Sequence, residues 1–175
     1  MAERSPSPYT EREVRKAKIV AALLGWAGMT ALSLYNATAS QLLFFLPFAA
    51  IIGLPIAFFT VWILGGGIIR RTMRQPVSWL RAATAGASVA AVAAFLSIVI
   101  GRVNGYHLSK DPSRYSQIGG GEYVQSIDGI LTPYGWFLLA QNTAIFILLG
   151  AVIGLFVRFL IGSGKPTDQT PALPK

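Results

Sequence analysis

Gly65-Gly-Gly-Ile-Ile-Arg-Arg-Thr-Met-Arg-Gln-Pro-Val-Ser-Trp-Leu-Arg81 is the stretch that decides the fold. It holds four arginines, Arg70, Arg71, Arg74 and Arg81, and no acidic residue. Long apolar runs flank it on both sides. Short loops rich in Lys and Arg stay on the cytoplasmic side of a bilayer. The stretch therefore reads as a topology anchor joining two apolar hairpins.

Composition supports a membrane setting. Of 175 residues, 53% are hydrophobic and 13% charged, and the mean hydropathy is +0.54. Soluble domains carry about 25% charged residues. The formal net charge of +8 invites a nucleic-acid reading. Its distribution opposes one, because the basic residues cluster at helix ends and in one short loop. Membrane orientation and anionic headgroups account for that pattern, and no nucleic-acid partner is expected. The chain has no cysteine, so disulfides, thiol catalysis and Cys-ligated metals are excluded.

Upstream of the anchor, residues 1–18 form a basic cytoplasmic segment with Arg12, Arg15, Lys16 and Lys18. Thr10 and Glu13 have capping-box spacing and predict an interfacial helix from about Thr10. An apolar run begins at Ile19. To Tyr35 it spans ~26 Å, short of a ~30 Å hydrocarbon core, and residues up to Ala39 complete the crossing. Ala37-Thr38-Ala39 also resembles a signal-peptide cleavage site. The run is longer than the ~7–15 residues of such a peptide, and the segment before it holds three acids. A retained helix is the preferred reading; cleavage after Ala39 would leave three spans.

The next run, 42–69, contains Pro47 and Pro55, each a predicted kink. Proline removes a backbone donor, and the carbonyl it frees must be covered by a neighbouring helix. Gly53 beside Pro55 marks a bend or close-contact point. The Gly65–Gly67 triplet is expected to end the helix or let it fray.

Downstream, Trp79 marks an interface, and the run 80–101 is rich in small residues. Gly86, Ala90 and Ala94 lie four apart and predict a close-packing face. The fourth run, 133–161, carries Gly150 and Gly154 as GxxxG, a second packing face. Thr132-Pro133 predicts its cap. Arg158 is expected to snorkel toward the cytoplasmic end. Residues 162–175 read as a disordered cytoplasmic tail.

The external loop, 102–132, has three basic and three acidic residues. This neutrality, set against the basic anchor, gives the orientation. Within the loop, Asp111-Pro112 predicts a short helical turn, Gly119–Gly121 a flexible break, and Asp128-Gly129 a small hairpin. The predicted fold is an all-α integral membrane protein. It has four transmembrane helices, at about 19–39, 42–69, 80–101 and 133–161, in a small bundle. The expected location is the bacterial inner membrane, with both termini cytoplasmic.

Chemistry is thinly represented. His107 is the single histidine, so it cannot build a metal or haem site alone. No nucleophile elbow or phosphate loop is present, and no catalytic residue, metal or cofactor is expected. Tyr106, Tyr115 and Tyr123 in the loop suit a partner surface. Gln141 and Asn142 are the candidate polar path in the fourth helix, or else hydrogen-bond to neighbouring helices. The leading expectation is a non-enzymatic accessory or structural component. It would act on a membrane protein partner or a second copy, within a bilayer bearing anionic headgroups. A small oligomeric channel or permease is the alternative, and a membrane enzyme using the external loop comes third.

Overall fold

The computed structural model describes residues 7–34, 45–110 and 116–164. Its helices are α1 (Glu11–Ser33), α2 (Phe45–Leu64), α3 (Gly66–Thr72), α4 (Trp79–Leu108) and α5 (Pro133–Ile161). Between α4 and α5 stand three two-residue strands, β1 (Gln117–Ile118), β2 (Ser126–Ile127) and β3 (Ile130–Leu131). They form one antiparallel sheet in that order. The fold class is all-α, with this sheet as a small insertion.

Three helices, α2, α4 and α5, are long and apolar enough to cross a membrane. Their surfaces agree with that. Phe159 is 71% exposed, Leu80 76% and Ile51 73%. Large apolar side chains open to this degree are a liability in water and ordinary against lipid. The chain is a multi-pass membrane protein.

Helix boundaries differ from the sequence expectations in instructive ways. The expected interfacial helix and the start of the expected first crossing form one helix, Glu11–Ser33, which is not among the three long and apolar enough to cross. Residues 35–40, including Ala37-Thr38-Ala39, lie outside the described residues. The regular helix ends at Leu64, as the glycine triplet led us to expect. Gly65 keeps helical dihedrals at the bend, and α3 resumes at Gly66 and carries Arg70 and Arg71. Helix α4 continues to Leu108, so residues 102–108, expected in the loop, are helical. The fourth expected run, 133–161, coincides with α5.

The described residues fall into two compact units. One takes the chain up to Val89 and from Leu149; the other is Ala90–Leu148. In the first, α2 departs from α-helical winding at Ala49–Gly53 and Thr60–Leu64, where it is a π-helix. Pro55 stands two residues after the first π-helical stretch and cannot donate to the carbonyl four residues back, which lies within that stretch, so wider winding accommodates the missing bond. Trp26 of α1 completes the arrangement. Its Nε1 donates to the Ala49 carbonyl at 2.7 Å. Its ring lies over Gly53, where a methyl group would sit 3.0 Å from Trp26 Cδ1. The neighbouring helix thus covers the weakened backbone.

The second unit is built on the hairpin β2–β3. Asp128 has φ of 47° and Gly129 of 79°, the two positive values of a type I′ turn. Ser116 and Asp128 lock it to the chain before β1. The Asp128 amide donates to the Ser116 carbonyl at 2.7 Å, and the Ser116 amide donates to Asp128 Oδ1 at 2.8 Å. Gly119, with φ of 94°, is a turn position rather than a flexible break, and a side chain there would strike the Tyr123 carbonyl.

Candidate functional site

Three features could carry function: a glycine seam, a basic end and the sheet surface. The seam lies in the first unit. Gly86 of α4 meets Gly150 and Gly154 of α5 backbone to backbone. A methyl on Gly86 would stand 3.0 Å from Gly154 Cα and would collide with the Gly150 carbonyl oxygen. A methyl on Gly154 would collide with the Ala82 carbonyl oxygen. Ala82 is itself buried. In lipid, contact of this kind supplies the dispersion energy that apolar burial supplies in water. Ala90 and Ala94 belong to the other unit, where Ala90 is buried and Ala94 half-buried.

The basic end is more ordered than its composition suggested. Thr10 caps α1: its hydroxyl accepts from the Glu13 amide at 3.3 Å, and Glu13 Oε2 accepts from the Thr10 amide at 2.7 Å. The Thr10 amide and hydroxyl hold the Glu13 carboxyl below the usual glutamate range. Tyr9 is buried against Val14, Ala17, Met73, Val77 and Ala82. Burial raises its phenol above the usual value. Its hydroxyl donates to the Gly162 carbonyl at 3.2 Å, and the Val77 amide donates to the Ser163 carbonyl at 3.0 Å. Gly162–Gly164 are thereby tied to this end.

Arg158 donates through Nε to the Val77 carbonyl at 2.7 Å, with its guanidinium 4.0 Å over the Trp79 ring. The arrangement satisfies its charge near the helix end, as snorkelling requires. Lys18 is buried, with Nζ 5.6 Å from the Trp62 ring centroid. The four anchor arginines are exposed. Arg70 approaches Glu11 at 4.0 Å, both largely exposed, so the pair adds little stability. Arg81 Nη1 donates to Gln75 Oε1 at 2.8 Å.

In the second unit the sheet turns apolar side chains outward. Ile127 pairs with Ile130 across the hairpin, and both are exposed. Ile118 and Tyr123 are exposed as well. The unit is held by close backbone approaches: Gly105 of α4 against Gly129, and Gly135 of α5 against the Gln125 carbonyl. The Thr132 hydroxyl caps α5, accepting from the Gly135 amide at 3.0 Å and donating to the Val124 carbonyl. Tyr123 meets Tyr134 edge-on, with centroids 5.5 Å apart. Tyr106 sits on α4, exposed, beside His107 and with Lys110 Nζ 5.0 Å from its centroid. Tyr115 and the Asp111-Pro112 turn lie outside the described residues. Gln141 and Asn142 are both exposed on α5.

Sequence reasoning passed over Trp26, Tyr9, Gly105, Gly129 and Gly135 as contact residues. Their signals were weak: a lone aromatic within a span, and glycines beside predicted turns. No known protein family, curated protein or solved structure matches the chain.

Proposed function

We propose that this protein is a non-enzymatic component of the bacterial inner membrane, with four crossings and both termini in the cytoplasm. It works by contact with a membrane protein partner at the sheet-bearing unit. The observation that carries the reading is the exposed apolar pair Ile127 and Ile130 on one face of the hydrogen-bonded sheet. A rigid apolar surface loses little conformational entropy on binding and suits a preformed interface. The orientation rests on charge. The first unit holds all four anchor arginines with Arg12, Arg15, Lys16 and Lys18, a bias that favours the cytoplasmic side. Anionic headgroups are the lipid partner of that end.

The alternative, an oligomeric channel or permease, would use Gln141 and Asn142. Both are exposed on a single copy, so such a path would have to run between copies.

The test is a photo-reactive amino acid at Tyr123 in intact membranes. A single adduct of defined mass is expected, lost in the double variant Ile127→Asp, Ile130→Asp. No adduct, or an adduct indifferent to the double variant, overturns the reading.

A further inference from the structure

Three hydroxyls in the spans, Thr60, Ser88 and Thr143, show one way in which polar side chains are accommodated there. Each donates to the carbonyl four residues back on its own helix, at 2.8, 2.8 and 2.7 Å. Gln141 and Asn142 do not. Both are exposed on α5, and neither carboxamide has a hydrogen-bond partner among the described residues. Gln141 lies about 12 Å along the helix axis from Pro133, well inside the apolar segment. There, an amide facing lipid forfeits its hydrogen bonds with no water to replace them.

The surroundings of Gln141 suit one occupant. At 100° per residue, Phe137, Ala140, Gln141, Ala144 and Leu148 share one face, and all are exposed. Ala140 and Ala144 flank Gln141 and leave room for another backbone to come close. The GxxxG seam of α5 is already filled by Gly86 and Ala82 of the same chain. None of the described residues fills the alanine-flanked glutamine face.

A carboxamide carries both donors and acceptors. Two identical carboxamides facing each other across a two-fold axis therefore satisfy one another, and an isologous contact places them so. We infer that the face Phe137–Leu148 of α5 is a self-association seam, with Gln141 hydrogen-bonding to Gln141 of a second copy inside the membrane. Asn142, about 100° around the helix, lies at the edge of that contact. The inference rests on α5 crossing the membrane and is separate from the partner proposed for the sheet.

The absence of native cysteine makes the test direct. Full-length protein with Ala144→Cys, in phosphatidylcholine–phosphatidylglycerol vesicles, is treated with a mild oxidant. The same is done with Phe95→Cys, on an exposed position of α4. Cross-linked dimer is expected at 144 and not at 95. In parallel, fluorescence transfer between labelled wild-type copies is titrated against lipid, and repeated for Gln141→Leu and Gln141→Asn.

Interhelical hydrogen bonds in lipid correspond to roughly 3- to 20-fold in affinity. Gln141→Leu should weaken association by about that factor, while Gln141→Asn, which keeps the carboxamide, retains part of it. Leucine on a lipid-facing surface leaves the fold intact, so the loss reads on association alone. A wild type monomeric at every protein-to-lipid ratio overturns the inference. So does equal cross-linking at 95 and 144, or Gln141→Leu associating as the wild type does. The Tyr123 adduct reports on the sheet independently, so either proposal can fail alone.

Discussion

Replacing Gly86 by alanine gives the sharpest test of the packing. Within a helix the change gains up to about 1 kcal/mol from propensity alone. At Gly86 the new methyl meets backbone, 3.0 Å from Gly154 Cα and closer still to the Gly150 carbonyl. Carbon atoms rest at about 3.5–4.0 Å, so α4 and α5 must part by the better part of an ångström. No rotamer relieves the clash, because the obstacle is main chain. Overpacking costs about 1–3 kcal/mol, and a backbone obstacle puts Gly86 in the upper half of that range. The net expectation is a loss of about 1–2 kcal/mol after the propensity gain.

Gly154→Ala should behave alike, since its methyl meets the Ala82 carbonyl. Gly28→Ala meets only the Leu149 side chain, at 3.0 Å, which can rotate away. It should be close to neutral. Gly25 and Gly101 have nothing within 4 Å. Alanine there should stabilise, by about 0.5–1 kcal/mol. Equilibrium unfolding in mild detergent, followed by tryptophan fluorescence, measures all five. If Gly86→Ala stabilises as much as Gly101→Ala, the backbone contact is absent and the reasoning fails.

Two further expectations concern α1. Trp26→Phe keeps the ring over Gly53 but removes the donor to the Ala49 carbonyl. It should cost about 1–2 kcal/mol and speed hydrogen exchange over residues 49–54; unchanged exchange would count against the bond. The Glu13 carboxyl is held below the ordinary value of about 4.3. A lowered folded value means the cap's contribution is complete above that pH and fades as pH falls through the lowered value. The protection of the Thr10 amide, relative to its intrinsic exchange rate, should therefore fall only on acidification below the ordinary glutamate value, and Glu13→Gln should flatten that pH dependence.

Local signals were readable in the sequence. Thr10 with Glu13, Thr132 before Pro133, and Asp128-Gly129 each act over a few residues, and each stands where its pattern indicated. What stayed hidden depends on contacts distant in sequence. Trp26 meets a carbonyl 23 residues away, and Arg158 one 81 residues away. No spacing rule names such partners. The glycines were ambiguous for a related reason. Gly65–Gly67 had the composition of a breaker, and the regular helix does end at Leu64, but nothing local showed that α3 would resume at Gly66. Gly105 and Gly129 read as a helix glycine and a turn glycine, and nothing local revealed that they face each other.

We propose that the basic stretch stays on one side of the membrane and that the chain at Gly120 lies on the other. Reporter fusions at Gln75 and Gly120 test it most directly. A cytoplasm-active reporter should work at Gln75 and fail at Gly120, and an export-dependent reporter should do the reverse. Activity of the same reporter at both positions would contradict the account.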